Sequence, residues 1–237
     1  MTLEGVVHDS HKSNTDNFGA HQSYDWCAFI EPDFYYQQLL GTCNDTKDVN
    51  AFVDCNGEAV ASHTGKVLEM EWETKFFPEK YRPRDNDRAW MMGRWIYDMG
   101  HPPARTEIHP PQAVAFIRKV DGQGNDSFLE TRVYIYGRGT GAGGAEIPWT
   151  GSFYSVAKYN LNSFAIDYNF NIYMPPKPTP NSTLSYTIVE NTFGGPDPTV
   201  TTSEKGLINI ICPVSNYFRT NPEAKYGVII HTFWKTP

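Results

Sequence analysis

Apolar and charged residues alternate through residues 66–74, where Leu68, Met70 and Trp72 take one parity and Glu69, Glu71 and Glu73 the other. Side chains of a strand point to its two faces in turn, so this period of two predicts a strand with one apolar and one acidic side. Read alone, the pattern turns the three carboxylates toward water, although such a row also has the donors to bind a cation. Strands are likewise predicted at residues 89–97, 106–109, 112–120, 130–136, 163–173, 184–190, 207–211 and 226–234, with another beginning near Tyr24. Turn residues separate them. Residues 34–40 read as a short helical turn, with Asp33 placed to cap it by accepting from the first free backbone N–H groups.

No long segment carries an apolar stripe of period 3.6. Many short strands divided by turns predict an all-β chain, an antiparallel β-sandwich that is jelly-roll-like or barrel-like, with long loops and little helix. Residues 1–24 are polar and read as a leader, mobile or folded back onto a site. Residues 25–237 read as a single β-sandwich domain.

Composition narrows the classes of partner. A formal charge of −7 argues against nucleic acid, whose phosphates call for a basic surface. No apolar run reaches the roughly 20 residues of a membrane helix. The 19 Gly and 17 Pro suit a chain of many turns, and 14 Tyr, 14 Phe and 6 Trp are rich for this length. Glycines at 137–144 sit in a loop that lacks the Gly-Lys-Ser/Thr signature of a phosphate-binding turn. Cys43 and Cys55 flank a polar segment that a disulfide can close, which leans toward a secreted or extracellular protein. Cys212, in an apolar run, reads as a buried free thiol, and Cys27 is open to either reading.

Candidate chemistry concentrates at residues 95–111, where Asp98, His101, Glu107 and His109 fall among Gly100 and two Pro-Pro pairs. With residues 106–109 extended, Glu107 and His109 share a face, roughly 6.5–7 Å apart along the strand. A turn at residues 100–104 then brings His101 back toward them. Three readings follow. In the first, His101, Glu107 and His109 ligate a divalent metal, zinc or iron, with Asp98, His21 and Asp25 as further ligands or supports. This reading makes the chain a metal-binding β-sandwich acting as a metal-dependent hydrolase or oxygenase. In the second, Glu107 and His101 are catalytic as an acid/base pair without metal. In the third, the residues are structural, with Glu107 paired to Arg94 or Arg105. A different class of function is a non-catalytic module that binds a carbohydrate, another small molecule or a protein partner through Trp149, Tyr154, Tyr159 and Trp234, since aromatic faces stack on sugar rings.

Overall fold

The computed structural model describes residues 1–13, 23–40, 42–43, 66–98, 104–121, 127–136, 166–221 and 223–236. The chain clusters into two compact units, the first of residues 1–114 and 139–159, the second of residues 115–138 and 160–237. The fold is nearly all β, as the alternating patterns predict.

The first unit is built from β1 (Thr2–Lys12), β2 (Asp25–Pro32), the two-residue β3 (Thr42–Cys43), β4 (Leu68–Glu73), β5 (Arg88–Asp98) and the start of β6 (Ala104–Asp121). Its strand order is β4-β2-β1-β5-β6, and β4 also pairs with β6, which closes the sheet into a five-stranded barrel. The pairings β1–β2, β1–β5 and β2–β4 are antiparallel, whereas β4–β6 is parallel. Closure leaves none of these five strands with an unpaired edge.

Register assigns the two faces of the wall. Val7 lies opposite Ile30, Ile30 opposite Leu68, Ala28 opposite Met70, Leu3 opposite Met91, and Met70 opposite Ile108. All eight are at most 1% exposed and fill the inside of the barrel. Trp72, in the same row, stacks on Phe77 with ring centroids 4.9 Å apart. The opposite parity on β1 and β5, including Glu4, Val6 and Arg88, is partly exposed and marks the outer face. At Gly93 of β5 a Cβ would stand 2.7 Å from Ile108, from the Pro110 carbonyl and from Pro111. Only glycine permits so close an approach of β5 to β6.

Residues 2–12 lie within the stretch read as a polar leader. They form strand β1, hydrogen-bonded on both sides, because Leu3, Gly5 and Val7 put a narrow apolar row into the barrel. Residues 14–22 lie outside the described residues. The helical turn is a 3-10 helix, Phe34–Leu39, but Asp33 does not cap it. Its carboxylate is taken by the Arg88 guanidinium, which also meets Glu4 at 3.1 Å. The bidentate Arg–carboxylate geometry outcompetes neutral backbone N–H groups, and it holds the Asp33 carboxyl below the usual range. The Leu39 carbonyl at the end of the turn accepts from Trp95 Nε1 at 2.9 Å and from Thr106 Oγ1 at 2.7 Å, tying the turn to β5 and β6.

The second unit continues β6 into β7 (Ser127–Tyr136), followed in the sheet by β12 (Lys225–Lys235) and β9 (Thr183–Asn191). A separate three-stranded sheet has the order β10-β11-β8, from β10 (Thr199–Thr202), β11 (Leu207–Cys212) and β8 (Tyr168–Tyr173). A one-and-a-half-turn helix, α1 (Ser215–Thr220), precedes β12. On β8, Tyr168, Phe170 and Ile172 are buried while Asn169, Asn171 and Tyr173 are exposed. The buried row meets Ile208, Ile210 and Cys212 of β11, and on the solvent side Asn209 donates to Asn169 and Asn171 at 2.6 and 2.8 Å. Cys212 is a buried free thiol, as its apolar surroundings predict. Burial pushes it up to about 12, against a hydrogen bond from Tyr226 of β12. Among the described residues no helix is long and apolar enough to cross a membrane.

Candidate metal centre

The outer face of the barrel wall is acidic along three adjoining strands. On β2 it carries Asp25 and Cys27, on β4 Glu69, Glu71 and Glu73, and on β6 Glu107 and His109. The antiparallel register sets Asp25 opposite Glu73 and Cys27 opposite Glu71, and the parallel register sets Glu69 beside Glu107. Residues paired across a ladder point to the same side, so the seven side chains share one surface. This surface is buried: Asp25 and Glu73 are 0% exposed, Glu107 2%, Glu69 3% and Glu71 8%. The expectation that Glu69, Glu71 and Glu73 face water is therefore corrected. An alternating pattern defines two faces but does not decide that only one is covered, and here both faces of β4 are.

His109 lies at the centre of the cluster. Its Nδ1 stands 3.2 Å from Glu71 Oε2 and 3.3 Å from Glu107 Oε1. Burial alone would lower its pKa, but hydrogen bonds to Glu107 and Glu71 and the charges of both carboxylates hold it well above the usual imidazole value. The ring is thus an imidazolium near neutral pH, sharing its Nδ1–H between two carboxylates. Glu107 is raised by burial and by the neighbouring charges of Glu71 and Asp98, against the hydrogen bond from His109. Cys27 Sγ donates to Glu71 Oε1 at 3.5 Å. Burial, then the charges of Glu71 and Glu69, push this thiol far up, so it stays protonated and is no nucleophile. Each effect has one source, a concentration of negative charge in a region with little water.

Two sets of these residues place one ligand atom each within 4.8 Å of one another: Asp25, Glu71 and His109, and Cys27, Glu69 and Glu71. Glu71 belongs to both. A metal–oxygen or metal–nitrogen bond of roughly 2.0–2.6 Å spans up to twice that length between ligands on opposite sides of an ion. The first set thus offers two carboxylates and one imidazole at coordinating range, and Glu107 stands beside it with Oε1 3.3 Å from His109 Nδ1.

Of the residues predicted from sequence, the structure gathers Asp25, Glu107 and His109 at one place. Asp98 is near enough to Glu107 for its charge to be felt. His101 and His21 lie outside the described residues, as do Cys55, Trp149, Tyr154, Tyr159 and the glycine-rich loop. Glu107 pairs with His109, whose Nδ1 lies 3.3 Å from its Oε1. Glu71, which touches both His109 and Cys27, is absent from the ligand set predicted around residues 95–111 and enters the sequence reading only as part of the acidic row able to bind a cation. Its signal was the three-carboxylate row itself, together with acidic and thiol side chains at the same parity in residues 25–27. Comparison with protein-family models, with curated proteins and with solved structures finds no match to this chain.

Proposed function

We propose that the chain is a metal-binding β-barrel protein whose Asp25, Glu71, Glu107 and His109 hold one divalent cation. The observation that carries this reading is the convergence of Asp25, Glu71 and His109 ligand atoms within 4.8 Å, on three different strands and in a buried setting. Burying carboxylates costs several kcal/mol each unless their charge is balanced, and a divalent ion balances two while satisfying oxygen lone pairs directly. Three carboxylates with one imidazole suit a hard or borderline ion, with zinc and ferrous iron in range. When bound, the ion supplies a fixed double positive charge joining β2, β4 and β6. A hydrolytic or oxidative activity would need a coordination position open to a substrate. His109 and Glu71 side chains are each only 10% exposed, which favours an ion that ties strands together over one that turns over substrate.

The test is elemental analysis of protein purified without a metal-affinity step, followed by chelation and titration with Zn²⁺, Fe²⁺, Mn²⁺ and Ca²⁺. Near-stoichiometric uptake of one of these ions is expected, with uptake lost in Glu71→Gln and His109→Ala while circular dichroism keeps its β signature. Protein that is metal-free as purified and takes up none of the four ions refutes the reading and leaves His109 as the cluster's own counter-charge.

A further inference from the structure

The second unit contains a cavity of about 860 Å³ at the end of its larger sheet, where β6 ends, β7 begins and β12 runs out. Among the described residues four aromatic rings line it, those of Phe128, His231, Phe233 and Trp234, and the lysines Lys119 and Lys235 stand with them. Ring centroids of Phe128 and His231 are 4.2 Å apart. No carboxylate is among the described lining residues, in a chain whose formal charge is −7. A third cation, Lys177, lies 5.5 Å from the centre of the Trp234 ring. Two acids near it among the described residues are engaged: Asp121 lies 3.4 Å from Lys119, and Glu130 binds Arg132 at 2.7 Å and His231 at 3.2 Å.

One wall of the cavity is preformed. It runs from Met174 through Pro175, Pro176 and Pro178, whose rings fix the backbone. It is held by Trp234 Nε1 donating to the Pro175 carbonyl at 2.8 Å and by Met174 N donating to the Gly206 carbonyl at 2.9 Å. At the far end, a turn closes with Ser182 N donating to the Thr179 carbonyl at 3.1 Å. A rigid, partly apolar recess of this size matches a small-molecule site, for which roughly 300–1,000 Å³ is usual. Its aromatic lining favours flat rings, which gain offset or edge contacts beyond simple area burial.

We propose that this cavity binds a planar aromatic anion, a ring system seated among Phe128, Phe233 and Trp234 with its carboxylate or similar group toward Lys119 and Lys235. The site is separate from the acidic cluster and does not depend on a metal. The experiment uses the full chain and 2-naphthoate as probe, followed by isothermal titration calorimetry, with the neutral 2-naphthalenemethanol as control. Saturable binding at one site is expected. The neutral control and a Lys119→Ala/Lys235→Ala variant should bind about tenfold more weakly, the loss of about 1.4 kcal/mol in charge attraction. Val189 also lines the cavity and is 51% exposed on β9, so Val189→Trp fills the space without touching the core and should abolish binding. Absence of saturable binding to the unaltered chain overturns the proposal, as does binding that Val189→Trp leaves intact. Equal affinity for the anion and the neutral control removes the anionic specificity and overturns it as stated.

Discussion

The buried cluster makes the pH dependence of stability a direct test of its electrostatics. Glu107 and His109 both have folded pKa values raised above their usual ones, so each holds its proton more tightly in the folded chain than in the unfolded one. Such a group contributes stability that is complete below its unfolded pKa and is lost as pH rises through its folded pKa. For Glu107 the loss begins near the unfolded value of about 4.3, and for His109 near about 6.5. Between the unfolded and folded values each group contributes a slope of about −1.4 kcal/mol per pH unit. From pH 6.5 to 8, His109 alone therefore removes up to about 2 kcal/mol, or about 4–8 °C in melting temperature for a chain of this size. Asp33 and Glu130 are lowered and act with the opposite sign, but their gain is complete once pH is well above about 4. The thiols Cys27 and Cys212, also raised, begin to matter only near about 8.5.

The assay is chemical denaturation at several pH values between 6 and 8, in chelator and again with the cation that elemental analysis identifies. Chelated protein should lose stability as pH rises, and His109→Gln should remove most of that slope. A cation competes with protons for the same atoms, so binding should release protons and tighten as pH rises. Its presence should then flatten or reverse the slope. If chelated protein gains stability from pH 6 to 8, or if His109→Gln keeps the slope, the account of the cluster is wrong.

Two further outcomes test the barrel and its thiols. Ile108→Ala, which opens a cavity inside the barrel next to Met70, should cost about 2–5 kcal/mol in denaturant titrations while leaving metal content unchanged. A loss of metal without a loss of stability would place Ile108 on the wrong face. Peptide mapping after treatment of native protein with a thiol reagent at pH 8 should find Cys27 and Cys212 unmodified, since both are buried with raised pKa values. Rapid labelling of Cys27 before unfolding would contradict the protected, acidic surroundings described for it.

Local pattern determined much of this protein. The parity of Leu68, Met70 and Trp72 against Glu69, Glu71 and Glu73 already defined the two faces of β4. The extended run at residues 106–109 already put Glu107 and His109 on one side, because a strand's geometry depends only on its own backbone. Asp25 enters the sequence reading differently, as an outside contributor four positions from His21. Tertiary structure alone decided which strands stand side by side. The parallel pairing of β4 with β6 brings Glu71 to His109 across 38 positions of sequence, and the antiparallel pairing of β2 with β4 brings Asp25 and Cys27 to the same surface. Burial followed from that assembly as well. Neither a capping role for Asp33 nor a solvent-facing acidic row survived it, since Arg88 and the covered outer wall are long-range neighbours. A residue's own sequence window carries its face and its chemistry, but its partners come from the closure of the sheet.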